Sequence, residues 1–228
     1  MATSYSIDPS DFLLDRFFSL TEKRRMLPSR IALHNEAKQR LAILKNHGFA
    51  TIKDVLVSLK SKEQVSAFSL KTGIPASYLV LLRREAGSYV SKPVKLSEFP
   101  GIPLEYAKVL ESKNIRNSRD FFEFVQTDDQ RQHVSKETGI PIDRLKELYS
   151  LCDLVRINGI GGLFARILYE AGMLSVEQFA ATDYRLLYRS SMDIIKSRGI
   201  AGAHFVEEDM VFCVHYARIL VELTGGDV

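Results

Sequence analysis

No tryptophan occurs in the chain, and cysteine occurs only twice, as Cys152 and Cys213. Two cysteines cannot form a disulfide framework or, by themselves, a four-ligand zinc site. The five histidines (His34, His47, His133, His204 and His215) are scattered, with no HxxxH or CxxC pairing to add ligands. Cys213 and His215 stand two apart in a predicted helix and so project to different faces. No run approaches the ~18 apolar residues of a membrane span, and mean hydropathy is −0.06. Asp8, Asp11 and Asp15 interrupt the stretch in which an export signal needs apolar continuity. A cytoplasmic location with no membrane partner is the expectation.

Catalytic signatures are missing as well. GIGG at 159–162 is followed by no Gly-Lys-Ser/Thr and preceded by no strand, which excludes a Walker loop and a dinucleotide fingerprint. No serine sits in GxSxG, and nothing around either cysteine marks an activated thiol. The acidic clusters Asp128–Asp129 and Glu207–Glu208–Asp209 read as first helical turns, where carboxylates favour the dipole. Neither an enzyme nor a cofactor is expected.

What the chain does have is ordinary globular material: 228 residues, 46% apolar and 26% charged. Length predicts one or two domains with a substantial core. The net charge of +3 is small but unevenly placed. Residues 1–100 carry 16 basic and 9 acidic side chains, and residues 101–228 carry 15 and 19. A basic half suits phosphate or an acidic partner, and equally an ordinary solvated helical surface.

An internal repeat gives the architecture. KTGIP at 71–75 returns as ETGIP at 137–141, 66 positions later, and Asp54, Val55, Leu56 and Leu59 map onto Asp120, Phe121, Phe122 and Val125. At a spacing of 58, FPGIPLEYAKVLESKNI (99–115) aligns with INGIGGLFARILYEAGM (157–173). A fainter copy without the glycine turn is read at 35–49. Apolar residues recur at helical spacing and no segment sustains period-2 alternation. The expected fold is therefore all-α, ten to twelve helices in tandem helix-hairpin-helix repeats packed into one elongated body. Expected divisions are an N-terminal arm at 1–30 and repeats at 31–95, 96–153 and 154–228. Thr51, Ser118 and Ser175 are predicted N-caps. Gly48 and Gly172 should follow helix ends, and Pro28, Pro93 and Pro103 fall at boundaries. Phe12, Leu13, Phe17, Phe18 and Leu20 should dock the arm, while Phe121, Phe122, Phe124 and Phe164 are read as core.

LVRINGIGGLFARIL (154–168) carries the most chemistry. Gly159 permits a tight reversal, Ile160 plugs the gap between helices, and Gly161 opens the next helix without a side chain. Ala165 is small where the helices cross. Free amides at that helix start form an anion site suited to a nucleic-acid phosphate. Gly159, Ile160, Gly161 and Gly162 would be the contact loop, with Arg156 and Arg166 as supporting cations and Arg185 and Arg189 near in sequence. Outside the hairpin, Arg83, Arg84, Lys92 and Lys95 would extend the footprint, with Arg24, Arg25, Lys53, Lys60 and Lys62 as further cations. Pro75, Pro103 and Pro141 replace the second glycine in the other hairpins and remove an amide donor. Those hairpins fit plain packing units.

DLVRINGIGGLFARILYEAG followed by SVEQFA resembles an uncharacterised bacterial helix-hairpin-helix family, known only as a domain of unknown function. The likeness extends to LPSR (27–30), YLVLLRREAGSYVSKPVKLSEFPGI (78–102) and FCVHYARIL (212–220). The resemblance implies the tandem hairpin fold and a DNA-binding role, and supplies no catalytic residues; contacts of the hairpin backbone to phosphates would make such binding sequence-independent. Two functions stand open: a non-catalytic DNA-binding module, and a protein-interaction or scaffolding adaptor using the hairpins structurally.

Overall fold

Helix starts follow local capping chemistry. In the computed structural model, which describes residues 3–23, 28–200 and 205–225, Thr51 precedes α3 (Ile52–Ser58), and the Asp54 carboxylate accepts from the Thr51 and Ala50 amides at 2.8 and 2.9 Å. Ser175 caps α11 (Val176–Ala181) by accepting from the Gln178 amide. At α7 (Ser118–Phe124) the cap is Asn117, whose side-chain oxygen accepts from the Arg119 and Asp120 amides. The expected cap, Ser118, is one position inside the helix and buried. Its hydroxyl accepts from the Val94 amide and pairs with the Tyr5 hydroxyl, so it is not available to the helix start.

The described residues form thirteen α-helices and two short 3-10 segments, with no strand among them. That is an all-α protein with one more α-helix than the upper expectation. The chain divides into two compact units, Ile7–Val90 and Met1–Ser6 with Ser91–Val228. The first holds 14 Lys and Arg against 8 Asp and Glu, the second 17 against 20. Arg24, Arg25, His204 and Leu27 of the LPSR stretch lie outside the described residues.

In the unit Ile7–Val90, α1 (Leu14–Lys23) packs on α2 (Ala37–Asn46), and α3 and α4 (Lys62–Thr72) pack on α5 (Ala76–Gly87). Phe12, Phe17 and Tyr89 are fully buried in edge-on aromatic pairs. Leu13, expected to dock, is mostly exposed, because neighbouring Phe12 and Leu14 fill the interior.

The other unit repeats this plan. A shift of 66 carries α2–α5 onto α6 (Leu104–Ser112), α7, α8 (Asp128–Thr138) and α9 (Ile142–Leu154), almost residue for residue at the helix ends. As in the first unit, α7 and α8 both pack on α9. A shift of 58 carries α6 and α7 onto α10 (Gly162–Glu170) and α11, followed by α12 (Tyr184–Arg198) and α13 (Glu207–Thr224), on which α11 and α12 pack. Phe121 and Phe122 fill the inward arc of the short α7 and Val125 is buried just after it, leaving Phe124 exposed rather than core.

The two TGIP turns have the same bonding. Thr72 and Thr138 donate to the carbonyls of Phe68 and Val134, and accept from the amides of Ile74 and Ile140 at 3.3 Å. Ser69 and Ser135 donate to the carbonyls of those isoleucines. Both turns pass through a left-handed glycine, Gly73 at φ 74° and Gly139 at φ 71°. An added Cβ at either would meet no atom within 4 Å. The cost of a side chain there is therefore conformational alone. Gly73→Ala and Gly139→Ala should each lower stability by about 1–2 kcal/mol, measured by denaturant unfolding, with no change in helix content.

Candidate nucleic-acid interface

The two-glycine hairpin forms where α9 ends. The Ile160 amide donates to the Ile157 carbonyl at 3.1 Å while Gly159 turns the chain at φ 94°. Ile157 and Ile160 are buried, so the apolar plug is where the sequence placed it. Gly161 is the exposed N-cap of α10, and the buried Ala165 donates its amide back to the Gly161 carbonyl. First-turn amides of a helix have no intrahelical acceptor, and those of α10 begin at this surface loop.

The two glycines that open α10 answer to different constraints. A Cβ on Gly162 would stand 2.7 Å from the Glu98 carbonyl oxygen, so close backbone approach requires glycine there. A Cβ on Gly161 would meet nothing within 4 Å.

The supporting cations are not at this surface. Arg156 is 1% exposed. Its guanidinium pairs with Asp153 and donates to the Tyr5 and Ser4 carbonyls at 3.0 and 3.1 Å and to the Thr224 hydroxyl at 2.9 Å. It also lies over the Phe122 ring, 4.5 Å from the centroid. Arg166 is 8% exposed, pairs with Glu147 and donates to the Pro100 carbonyl at 2.7 Å. Arg144 shares Glu147 and donates to the Gly101 carbonyl, so this cluster holds the PGIP turn. Both expected phosphate ligands are therefore internal, held by carboxylates and carbonyls of neighbouring segments, and Arg166 keeps one buried Nη2 without a hydrogen-bond partner.

The remaining predicted cations are dispersed. Arg83 is half-buried and Arg84 exposed, both late in α5 of the unit Ile7–Val90. Lys92 and Lys95 are exposed before α6, in the unit that contains the hairpin. Arg185 pairs with Glu207 at 3.6 Å, and Arg189 is exposed. Charges of both signs meet at the start of α13 (Glu207–Thr224), where Arg185 pairs with Glu207. Helix α13 opens with Glu207, Glu208 and Asp209, and one turn later the Cys213 thiol donates to the Asn158 carbonyl at 3.7 Å. Burial, with the Asp209 charge added, pushes that thiol up to about 12, and burial holds the Cys152 thiol well above its usual value. Neither is poised as a nucleophile.

Apolar groups complete the surroundings. Phe164 meets Phe205 at 4.5 Å between ring centroids, and Tyr188 meets Phe205 edge-on at 5.6 Å. All three rings are half-buried, with Leu163 39% and Val206 54% exposed beside them in the chain. Asp153, Glu147 and Arg144 were missed in the sequence, although Arg144–Glu147 and Asp153–Arg156 are opposite charges at i, i+3. Among the described residues no helix is long and apolar enough to cross a membrane.

Fold and site together define an all-helical protein organised around glycine turns. The model of one family, described as a domain of unknown function (DUF4332), matches residues 100–217, from the PGIP turn into α13. The chain belongs to that family. No curated protein and no solved structure matches it.

The two hairpin glycines should separate in experiment. Gly162→Ala should cost about 1–3 kcal/mol through overpacking against a backbone carbonyl. Gly161→Ala should cost less than about 1 kcal/mol, the difference between two poor or neutral caps. Chemical denaturation of both variants checks the order.

Proposed function

We propose that the chain is a non-catalytic protein-interaction adaptor, built from tandem helix-hairpin-helix modules that serve as packing units. The division into an arm at 1–30 and modules at 31–95, 96–153 and 154–228 belongs to this reading, supported by the helix ends that recur at 66 and 58 residues. The observation that carries it is the chemistry around the 159–162 loop. Its two nearest arginines in sequence are internal, while Phe164, Tyr188, Phe205, Leu163 and the acidic start of α13 lie nearby. Partly exposed aromatic and aliphatic groups with a charged rim suit a protein surface better than a polyanion.

One observation favours the second reading, sequence-independent DNA binding: Gly161 and Leu163 are exposed at the start of α10, whose first-turn amides have no intrahelical acceptor.

A titration of labelled duplex DNA at low salt separates the two. The adaptor reading expects no saturable binding, together with stoichiometric capture of a protein that is lost in a folded Phe205→Asp variant. Saturable DNA binding with a log–log salt slope near −0.9 per neutralised phosphate would overturn it, and loss of that binding in Gly161→Pro would place DNA on the hairpin.

A further inference from the structure

The segment Thr3–Ser6 lies in the unit of residues 91–228, and hydrogen bonds from residues distant in the chain hold it as they would a bound peptide. Gln126 reads both backbone groups of Thr3, accepting from its amide at 3.1 Å and donating to its carbonyl at 2.8 Å. Arg156 donates to the next two carbonyls, Ser4 and Tyr5. The fully buried Tyr5 ring meets Phe122 edge-on at 5.8 Å, and its hydroxyl reaches the Ser118 hydroxyl at 2.6 Å. Arg119 donates to the Ser6 hydroxyl at 3.3 Å.

One amide, three successive carbonyls and the Tyr5 and Ser6 hydroxyls are thus met by residues more than a hundred positions away. The segment has no regular helix or strand, so its order comes from these contacts. Its side chains are uncharged, and Asp153 already neutralises Arg156, leaving that guanidinium's remaining N–H groups for neutral carbonyls, while Arg119 meets the segment through the Tyr5 ring, 5.3 Å from its centroid, and the Ser6 hydroxyl. At Arg156 an anionic ligand would have to compete with a buried carboxylate.

We propose that Gln126, Ser118, Phe122 and Arg156 form a binding site for a short uncharged peptide with a tyrosine at its third position, occupied in cis by Thr3–Ser6. The tyrosine sets specificity, because its ring fills the buried pocket and its hydroxyl satisfies Ser118. The backbone contacts set orientation and tolerate different side chains before it. The cis segment acts as a plug: while it is seated, a peptide in trans must displace a tethered competitor that has a high effective concentration. The site is distinct from the 159–162 hairpin and does not depend on its function.

The test uses the full chain carrying Tyr5→Ala, which weakens the plug and leaves the groove residues unchanged. The probe is an N-acetylated, C-terminally dye-labelled peptide of residues 3–6, Thr-Ser-Tyr-Ser, followed by fluorescence polarisation. Saturable binding to the variant is expected, at least about tenfold tighter than to the unsubstituted chain. Replacing the peptide's tyrosine with phenylalanine should weaken binding about 3- to 10-fold, the worth of one hydrogen bond. If Tyr5→Ala does not fold, Tyr5→Phe retains the ring and serves as host for the same titration. Equal or unsaturable binding to variant and unsubstituted chain, or affinity unchanged by Ser118→Ala in the variant, would overturn the proposal.

Discussion

A buried ion pair, Asp153 with Arg156, organises the unit formed by residues 1–6 and 91–228. Both side chains are almost fully enclosed. An isolated charge in such a place would be prohibitive, and the pair persists only because its other hydrogen-bonding groups are satisfied. Asp153 accepts from the Val176 amide at 2.8 Å, which ties the end of α9 to the start of α11. Arg156 reaches the Ser4 and Tyr5 carbonyls, the Thr224 hydroxyl in the last turn of α13, and the face of Phe122 on α7. Its own carbonyl accepts from the Ser91 hydroxyl at 2.6 Å. One residue therefore holds both points at which the chain leaves this unit for residues 7–90 and returns. Burial raises the Asp153 carboxyl above the ordinary aspartate range, while Arg156 and the Val176 amide pull it back.

The same logic explains the chemistry of the glycine turns. Carbonyl oxygens in tight reversals lack partners, and guanidinium groups from adjacent helices supply them. Arg166 and Arg144 serve the PGIP turn in this way, with Glu147 balancing their charge. Threonine and serine hydroxyls serve the two TGIP turns. Polar side chains beside these turns are thus engaged with the fold.

Much of the fold was legible because its determinants are local. Capping residues, left-handed glycines and helix-period apolar positions lie within a few residues of what they control. The 66-residue spacing consequently reproduces helix ends in both units. The candidate site was only half legible. The turn at Gly159 and the buried Ile160 are readable in sequence, but the glycine that must lack a side chain is Gly162, against the Glu98 carbonyl, and not Gly161 as the pattern suggests. The direction of Arg156 and Arg166 is not readable, because their partners Tyr5, Thr224, Glu147 and Pro100 are 151, 68, 19 and 66 positions distant. A cation beside a glycine loop looks the same in sequence whether it faces solvent or the interior. Phe124 shows the same limit in apolar form: the seven-residue α7 buries Phe121 and Phe122 and turns only Phe124 of its aromatic run outward.

The central claim, that the Asp153–Arg156 pair fastens this unit together, is tested most directly by a double-mutant cycle of Arg156→Met and Asp153→Leu under denaturant. Removing Arg156 alone leaves a buried carboxylate unpaired and is predicted to cost about 3–5 kcal/mol near neutral pH. That carboxyl then has its folded-state pKa raised further above its unfolded value. The deficit should therefore shrink as pH falls towards the unfolded aspartate range, where the carboxyl is protonated in both states. The double variant should lose less than the two single losses summed. A cost below about 1 kcal/mol for Arg156→Met, with additive singles and no pH dependence, would contradict the account.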